Sequence, residues 1–458
     1  MKKAFLGVGA CLSIFGLTDA QAKTRQPNII VINCDDMGYG DLSCFGNPVI
    51  KTPNLDKMAD EGQKWSSFYV GSPVSSPSRA CLMTGRLGVR TGMYGDRLEV
   101  LFPVSLGGLP QEELTMAELL KSAGYNTAIV GKWHMGHLEQ FLPLQHGFDY
   151  FWGFPFSNDM SKREKVALGE PNYPHEYIVY ENEKIIDREP LQYTLTQRVT
   201  KAAVNYIERQ KKNPFFLYMA HPMPHIPIYA SEDFQGTSDG GKYGDTIEEI
   251  DWSVGEIMKV LKKKHFDKNT LVIFTSDNGP WLMYKQNGGS SGPLNRGKNS
   301  HYEGGFRVPC IMWGSMVDHG HITQMGSTLD LLPTFCEMAG VNLPEDRVYD
   351  GQSILNVLED HTAKSPREEF FFYRGSRLYA VRKGNFKLHF LDKPEYGPGK
   401  MVKLEKPVLY EISSDPGEHW NIADKYPKKV KELTELAEQH KASFVPAAPI
   451  FDNIKKKK

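Results

Sequence analysis

Cysteine is scarce. There are six in 458 residues, at spacings that match no zinc template. Loss of a leader ending at Ala22 would leave Cys34, Cys44, Cys81, Cys310 and Cys336. That odd set points to small buried residues, so stability is expected from core packing and not from a disulfide framework. Net charge is nearly absent too, at -1. No global field therefore draws the chain to nucleic acid or anionic lipid, and any pull on an anionic substrate must be local. Beyond the N-terminus no run is long and apolar enough to cross a bilayer, so no transmembrane segment is expected. Repeats and low-complexity tracts are missing as well. The 40% hydrophobic and 24% charged content is that of a soluble globular protein.

The N-terminus has the layout of a secretory signal. Lys2 and Lys3 precede an apolar stretch from Ala4 to Leu17, and Ala20-Gln21-Ala22 is an A-x-A cleavage site. Residues 1–22 are expected to be removed, leaving a periplasmic or secreted protein. The alternative takes Val8-Gly9-Ala10-Cys11 as a lipoprotein box anchored through Cys11.

Strand and helix signals then alternate. Asn28 to Cys34 is a continuous apolar run, as in a strand buried on both faces. Thr52-Pro53 opens a helix carrying Leu55, Met58 and Ala59, and Thr115 with Glu118 forms a capping box. Short strands are expected at Thr127–Val130, Phe215–Ala220, Leu271–Thr275 and Phe306–Trp313, with helical faces at Leu195–Tyr206, Ile247–Leu261 and Thr328–Met338. This predicts an α/β fold: a large, mostly parallel sheet sandwiched by helices. Past about residue 360, four short strands and a helix near Lys428 to Lys441 predict a small antiparallel sheet with one covering helix. The division is residues 23–360 for the catalytic domain and 361–458 for a small α+β subdomain. Ser161–Glu189 and Asp392–Pro407 read as surface insertions, and Lys455–Lys458 as a solvated tail.

In such sheets ligands bind beyond the carboxyl ends of the strands. Asp35-Asp36, Lys132, His221 to His225 and Asp277-Asn278 each fall at a predicted strand end, so one rim could gather them. Asp35, Asp36, Asp277 and Asn278 offer only oxygen donors, which suits Ca²⁺ or Mg²⁺ better than zinc. Lys132, His134, His225 and Lys298 are basic groups that could hold a tetrahedral anion beside such an ion. A serine in the run Ser75-Ser76-Pro77-Ser78-Arg79 is the candidate nucleophile.

Ser75-Ser76-Pro77-Ser78-Arg79, followed by Thr84-Gly85-Arg86 and by Gly131-Lys132-Trp133-His134, resembles the signature of the type I, formylglycine-dependent sulfatases of alkaline-phosphatase-like fold. The similarity runs from about Pro27 to Ile422. It extends to phrases of the arylsulfatase branch such as Ser327-Thr328-Leu329-Asp330 and Asp415-Pro416-Gly417-Glu418, without that branch's cysteine-rich C-terminal tail.

The resemblance implies a sulfuric ester hydrolase. Ser75, two residues before Pro77, would be oxidised to formylglycine (3-oxoalanine), as in the bacterial subtype matured by a radical enzyme. Asp35, Asp36, Asp277 and Asn278, with residue 75, would hold Ca²⁺, with Mg²⁺ the second choice. Arg79 and Lys132 would position the aldehyde hydrate and His134 would act as its base. His225 and Lys298 would bind sulfate and assist the leaving oxygen, and Ser157 would be a lesser contact. The implied partner is a sulfated glycan or monosaccharide, with exo attack and 3-O-sulfated galactose as the branch's example. Sulfated N-acetylgalactosamine and N-acetylglucosamine stay open. Rival readings are a phosphatase or phosphodiesterase of the same fold, and a non-catalytic glycan binder if Ser75 stays a serine.

Overall fold

The structure, a computed structural model, describes residues 26–396 and 399–455. The expected leader, its alternative anchor Cys11 and the last three lysines lie outside them.

The main sheet has ten strands: β1 (Asn28–Cys34), β2 (Gln63–Tyr69), β3 (Asn126–Lys132), β4 (Tyr150–Phe154), β5 (Ile178–Glu181), β6 (Lys184–Arg188), β7 (Phe215–Ala220), β8 (Thr270–Ser276), β9 (Arg307–Gly314) and β10 (Gly320–Ser327). Their order is β10-β2-β9-β8-β1-β7-β3-β4-β5-β6. The five central strands, β8-β1-β7-β3-β4, run parallel. Every residue of β1 is buried because both faces are covered. Its side chains alternate between two cores: Ile29 and Val31 join one, Ile30 and Ile32 the other. Helices Met116–Ser122 and Leu331–Ala339 pack on the first face, and helices Leu195–Arg209 and Gly241–Lys263 on the second.

A second sheet of β11 (Glu369–Arg374), β12 (Arg377–Lys383), β13 (Phe386–Asp392) and β14 (Val402–Glu411) is antiparallel. Helix Pro427–Ala442 buries Leu433 and Ala437 against the core that this sheet shares. A buried charge network ties the sheet to the main domain. Lys387 Nζ lies 3.0 Å from Glu303 Oε1 and 3.0 Å from Glu418 Oε1. Burial pushes the Glu303 carboxyl up, but Lys387, Arg382 and Arg307 outweigh it and bring it to about 2. The five described cysteines are unpaired, in line with a fold held by its core.

Three local expectations need correction. Ser161–Glu189 is not merely a surface insertion, because it carries the β5–β6 hairpin that extends the main sheet and buries Tyr177 and Val179. Asp392–Pro407 is not all loop, because Val402 and Lys403 pair with Asp392 and Leu391. The strand expected from Phe306 runs antiparallel to β8, which places its beginning, not its end, on the ligand rim. Strand β2 escaped sequence reading because polar residues interrupt its pattern. Gln63 is buried there and satisfied by donating to Val357 O at 2.6 Å.

One buried carboxyl sets a pH dependence of stability. Glu249, on helix Gly241–Lys263, accepts from Ser231 N at 2.9 Å and is raised to about 7 by burial. The folded state then binds more protons than the unfolded chain between the ordinary carboxyl range and neutrality. This stabilisation is present in acid and lost as pH rises through 7. The melting temperature should fall between pH 5 and pH 8. Glu249→Gln, which keeps the acceptor, should flatten that fall in thermal melts. Some slope should remain, because burial also raises Asp41 to about 7 and Asp251 to about 6.

Candidate active site

Helix Ser75–Thr84 explains the spacing of the first motif. All ten residues are buried, and Ser75 is its first residue, where backbone N–H groups lack intrahelical partners. Arg79 lies one turn on, on the same face. Its Nε donates to Asp277 Oδ2 at 2.9 Å, Nη2 lies 2.7 Å from that oxygen, and Nη1 donates to Lys132 O at 3.2 Å. The Thr84-Gly85-Arg86 half has a structural job. Gly85, at φ 65°, closes the helix through its N–H to Cys81 O at 2.9 Å, and its carbonyl accepts from Asp350 N at 2.9 Å.

The neighbouring ends of β8, β1, β7 and β3 deliver the other groups. Ser75 Oγ donates to Asp35 Oδ1 at 2.9 Å and lies 2.6 Å from Asp277 Oδ2. Lys132 Nζ pairs with Asp35 Oδ2 and reaches Ser75 Oγ at 3.3 Å and Ser157 Oγ at 3.0 Å. Gly131 permits this. At φ 112° it lets β3 approach β7 so closely that a Cβ would sit 1.9 Å from Ala220 O. Lys298 Nζ contacts Asp36 Oδ2 at 2.7 Å, and Asn278 Nδ2 donates to Asp36 Oδ1 at 2.8 Å. Asp36 and His134 hold positive φ, 66° and 58°, a strained region for non-glycine residues that occurs often at functional sites.

Burial favours the neutral form of both His134 and His225. Burial drives His134 well below its ordinary range, with Lys132 adding to the effect. Its Nε2 faces Leu101 O at 2.9 Å, and its buried Nδ1 has no partner. Burial, then Lys298, lowers His225 to about 3. Its Nδ1 faces Ile226 O at 2.6 Å, and its Nε2 lies 3.3 Å from Ser157 Oγ. For Lys298, burial is opposed and outweighed by Asp36 and Asp35, so the amine stays charged.

The donor set fits a hard divalent cation. Asp35, Asp36 and Asp277 converge, and Asn278 Oδ1 is buried with no partner. One oxygen each of Asp35 and Asp36 lies within 4.8 Å of a His225 ring nitrogen. Burial pushes Asp36 and Asp277 up, with Asp35 adding to both. Asp35 itself is held well below the usual range because Lys132, with Arg79 and Lys298, outweighs burial. Crowded carboxylates of this kind are relieved by a positive ion.

A cavity of about 270 Å³ opens onto Ser75, His134, Ser157, His225 and Lys298. The structure thus brings together the carboxylates, Asn278, Ser75, Arg79, Lys132, His134, Ser157, His225 and Lys298, whereas His221 faces Ser253 Oγ at 3.3 Å and does not line the cavity. It also adds groups that sequence reading missed. Trp281 lies under Lys298, with Nζ 4.1 Å from its ring centroid, and Tyr396 packs against Trp281 at 5.3 Å. Asn158 supports His225 Nδ1 at 3.2 Å. No motif marks them. Tyr396 reaches the cavity from the segment read as an insertion.

A family model for sulfatases matches residues 27–341, and a model for the C-terminal region of aryl-sulfatase matches residues 365–458. The mouse (Mus musculus) N-acetylgalactosamine-6-sulfatase is 39% identical, with 96% of this chain and 90% of that one aligned. Human (Homo sapiens) arylsulfatase A is 37% identical over 92% of this chain and 89% of its own length. Among solved structures, the PsFucS1 sulfatase from Pseudoalteromonas sp. superposes with a TM-score of 0.82 at 27% identity, covering 94% of this chain and 92% of that one. A Bacteroides thetaiotaomicron sulfatase of glycosaminoglycan metabolism gives 0.80 at 28% identity, covering 92% and 100%. On this evidence the chain belongs to the sulfatase family and is a sulfuric ester hydrolase.

Proposed function

We propose an exported, exo-acting glycan sulfatase that removes sulfate from a terminal sugar, with Ser75 oxidised to formylglycine by a separate radical maturation enzyme. The carrying observation is Ser75 Oγ, held on a helix N-terminus between Asp35 and Asp277 and beside Lys132. Asp35, Asp36, Asp277 and Asn278, with residue 75, would hold Ca²⁺, which accepts irregular oxygen ligation more readily than Mg²⁺. When bound, that ion supplies positive charge for the sulfuryl oxygens, and the formylglycine hydrate supplies a nucleophile that can later release sulfate. Three carboxylates face Arg79, Lys132 and Lys298, so a divalent ion would add positive charge to the site for the ester.

The chain's own residues divide the remaining work. Lys132 and Ser157, 3.0 Å apart, hold a sulfuryl oxygen. Arg79 fixes Asp277 and so the place of residue 75. His134, whose Nε2 proton is assigned by the Leu101 carbonyl, presents a free Nδ1 as base. Lys298, charged, protonates the leaving alcohol. His225 carries its Nδ1 proton on Ile226 O, which leaves Nε2, 3.3 Å from Ser157 Oγ, as an acceptor that positions the substrate through a sugar hydroxyl.

The similarity to an N-acetylgalactosamine-6-sulfatase and to arylsulfatase A favours a galacto-configured sugar. Mass analysis of the peptide spanning Ser75 from a maturation-competent host should show the loss of two hydrogens. A panel of 3-, 4- and 6-O-sulfated galactose, N-acetylgalactosamine and N-acetylglucosamine should then give turnover confined to galacto sugars. Full activity from a peptide with intact serine would overturn the mechanism, and exclusive turnover of N-acetylglucosamine sulfates would overturn the sugar.

A further inference from the structure

A second cavity, of about 250 Å³, lies beside the first and shares Val74 and Glu99 with it as a common wall. It sits between the segment Gly71–Val74, which leads into the nucleophile helix, and the β11–β12 turn of the small sheet. Its lining is cationic and aromatic: Arg374, Arg377 and Lys393, with Tyr373 and Tyr379.

The acidic groups there are engaged. Glu99 accepts from Asn299 Nδ2 at 2.6 Å and pairs with Lys393 at 3.4 Å and Arg374 at 4.0 Å. Asp96 Oδ1 accepts from Ser376 N at 2.9 Å and Oγ at 2.7 Å. Arg374 is buried and fixed by Asn299 Oδ1 at 3.0 Å and Lys393 O at 3.1 Å. Arg377 differs. Among the described residues its guanidinium is in no ion pair, and its hydrogen-bonding neighbour is the thioether of Met401 at 3.8 Å. Arg377 is exposed at the cavity wall, and with no acidic partner among the described residues it retains full capacity for an oxyanion. No step of sulfate ester cleavage uses it.

We infer that this cavity is a second anion subsite. It would take a carboxylate or sulfate on the sugar next to the one being desulfated, with Arg377 as the reading group and Tyr373 and Tyr379 as apolar walls. The inference deepens the glycan reading: the substrate would be a polyanionic chain and not a free sugar.

The test uses full-length protein made without the maturation enzyme, so that Ser75 stays a serine and binding is read by calorimetry with no turnover. The probes are N-acetylgalactosamine 6-sulfate, a chondroitin 6-sulfate tetrasaccharide presenting that sugar, its carboxyl-reduced form, and a form carrying sulfate in place of the neighbouring carboxylate. The wild type should bind an anionic tetrasaccharide about tenfold tighter than the monosaccharide. Arg377→Glu should erase that advantage while the monosaccharide affinity changes far less. Loss of the advantage on carboxyl reduction assigns a carboxylate, and tight binding confined to the sulfated form assigns a sulfate. Equal affinity for tetrasaccharide and monosaccharide in the wild type, or an advantage that survives Arg377→Glu, overturns the subsite. Failure of the catalytic reading would show separately, as absent turnover by matured enzyme.

Discussion

Ser75→Ala should lower turnover of a sulfated sugar by about 10⁴-fold or more in matured enzyme, because it deletes the side chain that we propose supplies the attacking oxygen. The structural cost should be small. The change removes one hydroxyl at the first residue of a helix, not a packed hydrocarbon group. The neighbours keep other partners. Asp277 Oδ2 retains Arg79 at 2.7 and 2.9 Å, and Asp35 retains Lys132. The melting temperature should therefore stay within a few degrees of the parent, a stability change of about 1 kcal/mol or less. Turnover and thermal melts are read on one preparation. If the variant keeps more than a tenth of parental activity, residue 75 is not the nucleophile.

The second large effect is expected at Asp277. Its Oδ2 lies 2.6 Å from Ser75 Oγ, accepts from Arg79 Nε and pairs with Arg79 Nη2 at 2.7 Å, and its Oδ1 accepts from Asp36 N at 3.2 Å. Asp277→Asn keeps the shape but withdraws one charge from the proposed calcium site and from a fully buried arginine. Arg79 is then left with Asp35, at 3.7 Å, as its acidic neighbour. Removing one partner of a buried ion pair costs about 3 kcal/mol or more. We expect a clear fall in melting temperature, loss of bound metal in elemental analysis, and activity reduced by about 10³-fold. Added Ca²⁺ should raise the melting temperature of the parent and not of the variant. Metal at parental stoichiometry in folded variant protein would remove Asp277 from the ligand set.

These two positions also show how the signature divides. Ser75 and Arg79 sit one turn apart and face the carboxylates of Asp35 and Asp277, whereas Thr84 and Gly85 shape and close the same helix. Glu418, in the phrase Asp415-Pro416-Gly417-Glu418, serves the fold by joining Lys387 and Glu303 in the network that docks the small sheet. A motif read as one catalytic string is thus partly a cap and partly a joint.

The sequence alone was enough for the parts governed by local periodicity and by chain direction. The apolar run Asn28–Cys34 had to be a doubly covered strand, and carboxylates directly after such strands had to share one rim. That is why Asp35, Lys132 and Asp277 were legible: each is covalently tied to the end of a strand whose direction the α/β alternation fixes. Tertiary structure alone decided the antiparallel course of β9, the extension of the sheet by the β5–β6 hairpin, and the walls built by Trp281, Tyr396 and Arg377. Trp281 and Tyr396 lie in loops and Arg377 opens β12 at a turn, with no repeating pattern to mark any of them, and packing between segments distant in the chain brings them to the site. Only where the small sheet docks could fix where they point.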